Sequence, residues 1–294
     1  MPLIGSHATV TGGLATGGLA YADAVGAEVI QVFAGNPRGW KPSAGDPGQD
    51  ARLRESGLPV FIHSPYLINL GSSDADVSSR SAESLAHTLR RGAAIGARGV
   101  VVHTGSAVGW DSAATSDGAA STGPTSVGAR QRALDQVGDL LRPVLDTLGE
   151  DDPDLLLEPM AGQGQMLCAR AADLGPYLAA LGHHPKVGVC LDTCHMFAAG
   201  HDLTADGGVD AMLAEVSEAA GPGRVKLVHA NDSMQPLGSK RDRHEAIGKG
   251  AIGTEPFREL LAHPALADVP FVAETPGGKS GHARDIEVLK DLRG

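Results

Sequence analysis

The chain has 294 residues and a formal net charge of −11, with 35 acidic side chains against 24 lysines and arginines. That balance excludes nucleic-acid binding through a broad basic surface, but not through a local positive site that metal ions could create. No long apolar run could cross a membrane, no leader pattern opens the chain, and three cysteines (Cys168, Cys190, Cys194) suit a reducing compartment, so a cytoplasmic protein is expected.

In chain order, a strand is expected over 3–7, then a Gly-rich turn and a helix over 14–25. A strand over 28–33 and a helix over 48–55 follow, then a strand ending at His63 and an amphipathic helix over 79–95. The next strand ends at His103, and the low-complexity stretch 106–128 reads as a mobile loop before a helix over 129–148. Strands ending at Glu158 and Asp192 precede helices over 171–181 and 208–220. A strand ending at His229 leads into a long polar loop to Gly253, a helix over 255–262, a strand over 269–274 and a helix over 283–292. Alternating βα units of this number favour an α/β fold, the closed (β/α)8 TIM barrel, as a single domain over 1–294; such a barrel typically takes about 250 residues. Aromatics make up 3% of the chain, so its core must come from Val, Leu, Ile and Ala. The 40 glycines and 18 prolines suit short turns or a compositional bias.

The strand ends carry the chemistry. The runs 59–63 (PVFIH), 99–103 (GVVVH), 154–158 (DLLLE), 187–192 (VGVCLD), 225–229 (VKLVH) and 269–274 (VPFVAE) each close on a metal-ligand residue type, and 2–7 (PLIGSH) closes on His7. In a βα-barrel all these ends meet at one face, where active sites are built. Two short motifs join them: Asp192 with His195 in DTCH, and Asp242 with His244 in DRH, one residue apart and so on one side of an extended backbone. The candidate ligands are thus His63, His103, Glu158, Asp192, His195, His229, Asp242, His244 and Glu274, five histidines and four carboxylates. A lone strand-end histidine is ordinarily structural. The number at stake, and the penalty for burying unpaired carboxylates, favour metal. Nine ligands exceed what one tetrahedral ion takes, so two or three ions are needed, Zn²⁺ first and Mn²⁺ or Fe²⁺ as alternatives. Three divalent ions would outweigh four carboxylates and make a local anion trap suited to phosphodiester hydrolysis. Cys190 and Cys194 could be ligands, but core packing is the better reading. Residues 12–18 (GGLATGG) lack the spacing of a phosphate loop and read as a tight turn over the first strand.

Several segments resemble endonuclease IV, the family-2 apurinic/apyrimidinic endonucleases. They are 4–7 (IGSH), 12–14 (GGL), 66–71 (YLINLG), 161–164 (AGQG), 188–195 (GVCLDTCH), 197–200 (FAAG), 229–232 (HAND), 238–244 (GSKRDRH) and Glu274-Thr275, in the family's order over nearly the whole chain. The resemblance implies three zinc ions at the C-terminal face of the barrel. His63 and His103 would hold the first; Glu158 would bridge it to the second, completed by Asp192, His229 and Glu274; His195, Asp242 and His244 would hold the third. It also implies hydrolysis of the phosphodiester 5′ to an abasic site by a metal-held hydroxide, leaving a 3′-hydroxyl and a 5′-deoxyribose phosphate, with 3′-end cleaning besides. Glu158, His103 and Glu274 would be the catalytic residues. The implied partner is double-stranded DNA with abasic sites or blocked 3′ ends, bound by a monomer with no obligate protein partner. Arg38, Tyr66 and Leu67 would enter the base stack, and Asn69, Lys240, Arg241 and Arg243 would contact DNA.

Gly39 stands where relatives carry a longer polar side chain, Pro159 and Met160 replace a polar pair, and Thr104 stands where Pro is common. His7 is expected to support the ligands or face the phosphate rather than bind zinc, and His87, His183, His184, His201, His263 and His282 to lie on the surface or in loops. The alternative is a metal-dependent sugar isomerase or epimerase on a related barrel, which leaves Asp242 and His244 without a role. A non-catalytic DNA-binding relative would have no need of nine aligned ligands.

Overall fold

The computed structural model of the chain describes residues 1–111 and 125–294. Its strands are β1 (Ile4–His7), β2 (Ile30–Val32), β3 (Val60–His63), β4 (Gly99–His103), β5 (Asp154–Glu158), β6 (Val187–Asp192), β7 (Val225–His229), β8 (Asp232–Ser233), β9 (His244–Glu245) and β10 (Phe271–Ala273). The first seven and β10 are all parallel and close a barrel in the order β1-β10-β7-β6-β5-β4-β3-β2; β8 and β9 form a small antiparallel pair outside it. The helices are α1 (Leu14–Val25), α2 (Pro47–Glu55), α3 (Ala75–Ile95), α4 (Val127–Leu145), α5 (Leu174–Ala180), α6 (Thr193–Ala199), α7 (Gly208–Ala220), α8 (Glu255–Ala262) and α9 (Gly278–Arg293). Among the described residues no helix is long and apolar enough to cross a membrane.

Most of the differences from the expected elements have local causes. Helix α3 begins ahead of residue 79 because the Asp74 carboxylate accepts from the backbone N–H groups of Asp76 and Val77, a cap that starts the helix. The helix expected over 171–181 is broken: a 3₁₀ turn at Ala171–Asp173 precedes α5. Helix α4 ends at Leu145, just past Pro143, which has no N–H to give the helix. The final helix starts at Gly278, earlier than the expected 283. Most of the low-complexity stretch 106–128 lies outside the described residues. Of the 12–18 segment only Gly12 and Gly13 lie in the expected turn, with Gly13 at φ 122, while 14–18 already belong to α1, where a Cβ on Gly17 would lie 2.5 Å from the Val10 carbonyl carbon.

The barrel interior is layered. Val29, Phe61, Val101, Leu156, Cys190, Leu227 and Val272 pack together as an apolar ring inside it. Cys190 is therefore barrel core, and burial pushes its thiol up to about 12. Successive residues of a strand face opposite sides, so the residue two further along each strand points inward one layer higher. From the seven ring positions this gives Gln31, His63, His103, Glu158, Asp192, His229 and Glu274; on β1 the same step from Gly5 gives His7. One closed ring of side chains, at the C-terminal end of the barrel, thus accounts for most of the strand-end pattern.

Candidate metal centre

Strand register sets the neighbours in this ring. His103 lies opposite Glu158 across β4 and β5, and Asp192 opposite His229 across β6 and β7. Asp192 also ends its strand by capping the next helix: one carboxylate oxygen accepts from the His195 backbone N–H at 2.8 Å, which starts α6 and turns His195 over the ring. Asp242 and His244 come from the loop around β9.

The side chains gather into overlapping groups whose donor atoms lie within 4.8 Å of one another: His63, His103 and Glu158; Glu158, Asp192, His229 and Glu274; and Asp192, His195 and His244. Asp242 joins the last, 3.2 Å from His195 Nε2 and 3.1 Å from His244 Nε2. Glu158 belongs to two groups. So does Asp192, whose second oxygen lies 3.4 Å from His244 Nε2.

The donor spacings fit ions. Atoms at the corners of a tetrahedron with metal–ligand bonds of about 2.0 Å stand about 3.3 Å apart. Glu158 Oε2 lies 3.3 Å from His63 Nε2 and 3.5 Å from His103 Nε2. His229 Nδ1 lies 3.1 Å from Glu158 Oε1 and 3.4 Å from Glu274 Oε2. Glu158 Oε2, His195 Nε2 and His244 Nε2 are buried without a hydrogen-bond partner, the condition a bound cation relieves.

Backbone carbonyls orient the imidazoles. A carbonyl only accepts, so the nitrogen facing it carries the proton. His63 Nδ1 donates to the Ser64 carbonyl at 2.7 Å, His195 Nδ1 to that of Pro159 at 3.0 Å, and His244 Nδ1 to that of Glu274 at 3.3 Å. In each the Nε2 is left facing the centre. The contact at Pro159 uses its backbone, so the departure there leaves this function intact. Thr104 supplies an N–H to the Glu158 carbonyl that proline could not.

The electrostatics divide the ring. Burial pushes the His103 imidazole down to about 4. Burial also opposes charge on His195 and His244, but Asp192, Asp242 and their neighbours overcome it and raise them to about 10 and about 9. For Glu158, burial is outweighed by His229, His103 and His63, which hold its carboxyl well below the usual range.

Around the rim, Arg38, Tyr66 and Leu67 are exposed on adjacent loops tied by the Tyr66 N–H to the Pro37 carbonyl at 2.9 Å. The Tyr66 ring stacks over His103 with 5.8 Å between centroids. Burial, with Glu274 and Glu158, pushes its phenol up to about 12, so it stays neutral. Lys240, Arg241 and Arg243 are exposed on the opposite loop; Lys240 has left-handed backbone (φ 55) and donates its N–H to the Ala198 carbonyl. Asn69 differs in posture, because its amide bonds Ser106 through both its nitrogen and its oxygen and so ties two loops together. Two of the histidines expected on the surface or in loops are buried, His201 in a loop and His282 within α9. His282 donates from Nε2 to the Thr275 carbonyl and accepts from the Tyr21 hydroxyl, and His201 Nε2 accepts from the Ala171 N–H. Cys194 is buried beside Asp242 and His244, its sulfur 3.6 Å from the Arg243 carbonyl.

Three contributors were not found in the sequence. Gln31 bonds three ring members, Asn231 Nδ2 donates to Asp192 at 2.7 Å, and Met234 and Leu237 are both exposed beside the basic residues of the same loop. The polar Gln31 inside the apolar run around β2 was the signal for the first. A large cavity of about 350 Å³ lies beside the centre rather than over it, between the loop after β2 and α3, with His63 in its wall.

A protein-family model described as "Xylose isomerase-like TIM barrel" matches residues 19–292. A Streptomyces avermitilis protein named "Probable endonuclease 4" is 52% identical over 99% of this chain and 90% of its own length. The crystal structure of endonuclease IV from Thermus thermophilus superposes with a TM-score of 0.80 at 32% identity, covering 99% of this chain and 98% of that one. A D-tagatose 3-epimerase-like protein, at 15% identity and TM-score 0.69, shares the fold.

Proposed function

We propose, on the premise that this chain belongs to the endonuclease IV family, that it hydrolyses the phosphodiester 5′ to an abasic site in duplex DNA, leaving a 3′-hydroxyl and a 5′-deoxyribose phosphate. The same site would clear blocked 3′ ends. The observation that carries the reading is the set of nine convergent ligand side chains, in groups joined through Glu158 and Asp192, with donor spacings fitted to tetrahedral ions. Mixed imidazole and carboxylate donors favour three Zn²⁺ ions, with Mn²⁺ an alternative. His63, His103 and Glu158 would hold one; Glu158, Asp192, His229 and Glu274 a second; His195, Asp242, His244 and a shared Asp192 the third. Bound there, the ions would supply the Lewis acidity that activates water near neutral pH and offsets charge on the phosphate.

The chain's own groups prepare that chemistry. Glu158, fully ionised and joined to two groups, fixes the spacing between them. Glu274 accepts from Gln31 Nε2 at 2.6 Å, which holds one of its oxygens in place. His103 lies under the Tyr66 ring, which shields that side from water. Arg38, Tyr66 and Leu67 would enter the distorted duplex, where extruding a nucleotide without a base is cheap. Lys240, Arg241 and Arg243 would hold the backbone. In this reading the chain is one domain, acting as a monomer in the cytoplasm.

The test is a duplex carrying one tetrahydrofuran abasic analogue, which resists β-elimination. Cleavage on its 5′ side to a 3′-hydroxyl, lost on prolonged chelation and in Glu158→Gln, is the expected result. An intact duplex after incubation with zinc-loaded protein would overturn the reading.

A further inference from the structure

Eight inward side chains form the ring above the apolar layer, and Gln31 is its one member that cannot ionise. It is fully buried in the middle of β2, beneath the centre. Its amide nitrogen lies 2.6 Å from Glu274 Oε1 and 3.0 Å from His7 Nδ1, and its amide oxygen lies 2.9 Å from His229 Nε2. No polar atom of the side chain is left over.

The chemistry of these partners fixes the amide's orientation. A ligand carboxylate can only accept, so the Gln31 atom lying 2.6 Å from Glu274 Oε1 must be the nitrogen. The oxygen then faces His229 and can only accept, so His229 Nε2 must carry a proton. That leaves Nδ1 as the nitrogen of His229 turned to the centre. Nδ1 is also the atom lying 3.1 Å from Glu158, 3.4 Å from Glu274 and 4.0 Å from Asp192. The other three imidazoles with a carbonyl partner present Nε2 instead. His229 is thus the exception among them, and its partner is a side chain that a single substitution can remove.

We propose that Gln31 is a positioning residue for the metal centre: it selects the Nδ1 face of His229 and clamps Glu274, so that two ligands of one ion are locked by one amide. The proposal rests on reading the centre as a metal site. Outer partners of this kind typically change metal affinity about 10–100-fold. Two substitutions separate the arms. Gln31→Met keeps the volume and removes both. Gln31→Glu keeps an oxygen for His229 and sets a carboxylate against Glu274.

The experiment uses the full chain loaded with Zn²⁺ and desalted. It follows zinc transfer to a chromogenic chelator and the histidine ring signals in ¹⁵N-correlated NMR. In wild type, His229 should show a protonated, slowly exchanging Nε2 and a metal-shifted Nδ1. Gln31→Met should lose the slow exchange and release one ion at least about 10-fold faster, the others unchanged. Gln31→Glu should keep the Nε2–H signal yet also release that ion faster. Wild-type zinc release in Gln31→Met overturns the proposal; if that variant does not fold, wild-type release in Gln31→Glu does so. Wild-type protein that retains no zinc overturns this inference and the metal reading together, whereas retained zinc with no DNA incision overturns only the proposed reaction.

Discussion

At the scale of single residues, the centre separates histidines by what surrounds them. Burial takes His103 down to about 4, and Glu158 and Glu274, countered by the imidazoles of His63 and His195, do not offset it. His195 and His244 face Asp192 and Asp242, and hold their protons up to about 10 and about 9 in the metal-free protein. A ligating imidazole must offer a bare nitrogen, so loading the third group at neutral pH has to expel those protons. The sign follows: affinity rises with pH until it passes the higher of the two values, then levels off. We expect about two protons released at pH 7 from these residues, a further one from His229, whose surroundings raise it well above the usual range despite burial, and none from His103. Calorimetry of Zn²⁺ binding in two buffers of different ionisation enthalpy measures the number directly. Proton release of zero at pH 7 would contradict the protonation assigned to this pair.

Among the elements, what could be read from sequence depended on local signals. Helices α1, α7 and α8 fall at 14–25, 208–220 and 255–262, as expected, because an amphipathic pattern is bounded by glycine, proline or a change of period. Helix α6 escaped because most of Thr193–Ala199 is buried and no polar face marks the helix; its signal was the spacing from Asp192 to His195. The β8–β9 pair was missed because two-residue strands carry no period. The strand-end ligands were legible because each sits one step above an apolar inward residue. Gln31 showed only as a polar residue in an apolar run, since an amide is not among the usual zinc ligands, and the sharing of Asp192 between two groups depends on the bend from β6 into α6. The packing of α2 on α3 rests on a contact invisible to pattern: Arg91 donates to Asp50 at 2.7 and 2.5 Å, with both side chains buried. Removing one partner strands the other charge. Arg91→Met should therefore lower stability by about 3 kcal/mol, and adding Asp50→Leu should restore most of it. Urea denaturation of the two variants decides this; a loss that Asp50→Leu fails to repair would assign Arg91 a packing role instead.

At the scale of the whole molecule, an acidic protein has to approach a polyanion. With a net charge of −11, attraction must be confined to one face, and the exposed cations proposed to serve it stand on loops at the C-terminal end of the barrel: Arg38, Lys240, Arg241 and Arg243. Beside them lie exposed apolar side chains, Tyr66, Leu67, Met234 and Leu237. The two kinds of contact should separate by salt. A cation on phosphate releases a counterion, so its loss weakens binding to any duplex and lowers the slope of log affinity against log salt by about 1. An apolar wedge carries no counterion and acts only where the stack is opened. Lys240→Ala with Arg241→Ala should thus reduce the slope by about 2 on an undamaged duplex and on a nicked abasic duplex alike. Met234→Ala with Leu237→Ala should leave the slope unchanged and weaken the abasic duplex selectively. Fluorescence anisotropy with both duplexes over a salt series resolves the two effects. An unchanged slope in the Lys240 and Arg241 variant would remove that loop from the DNA interface, and the surface attracting DNA would have to be sought around Arg38 and the metal centre alone.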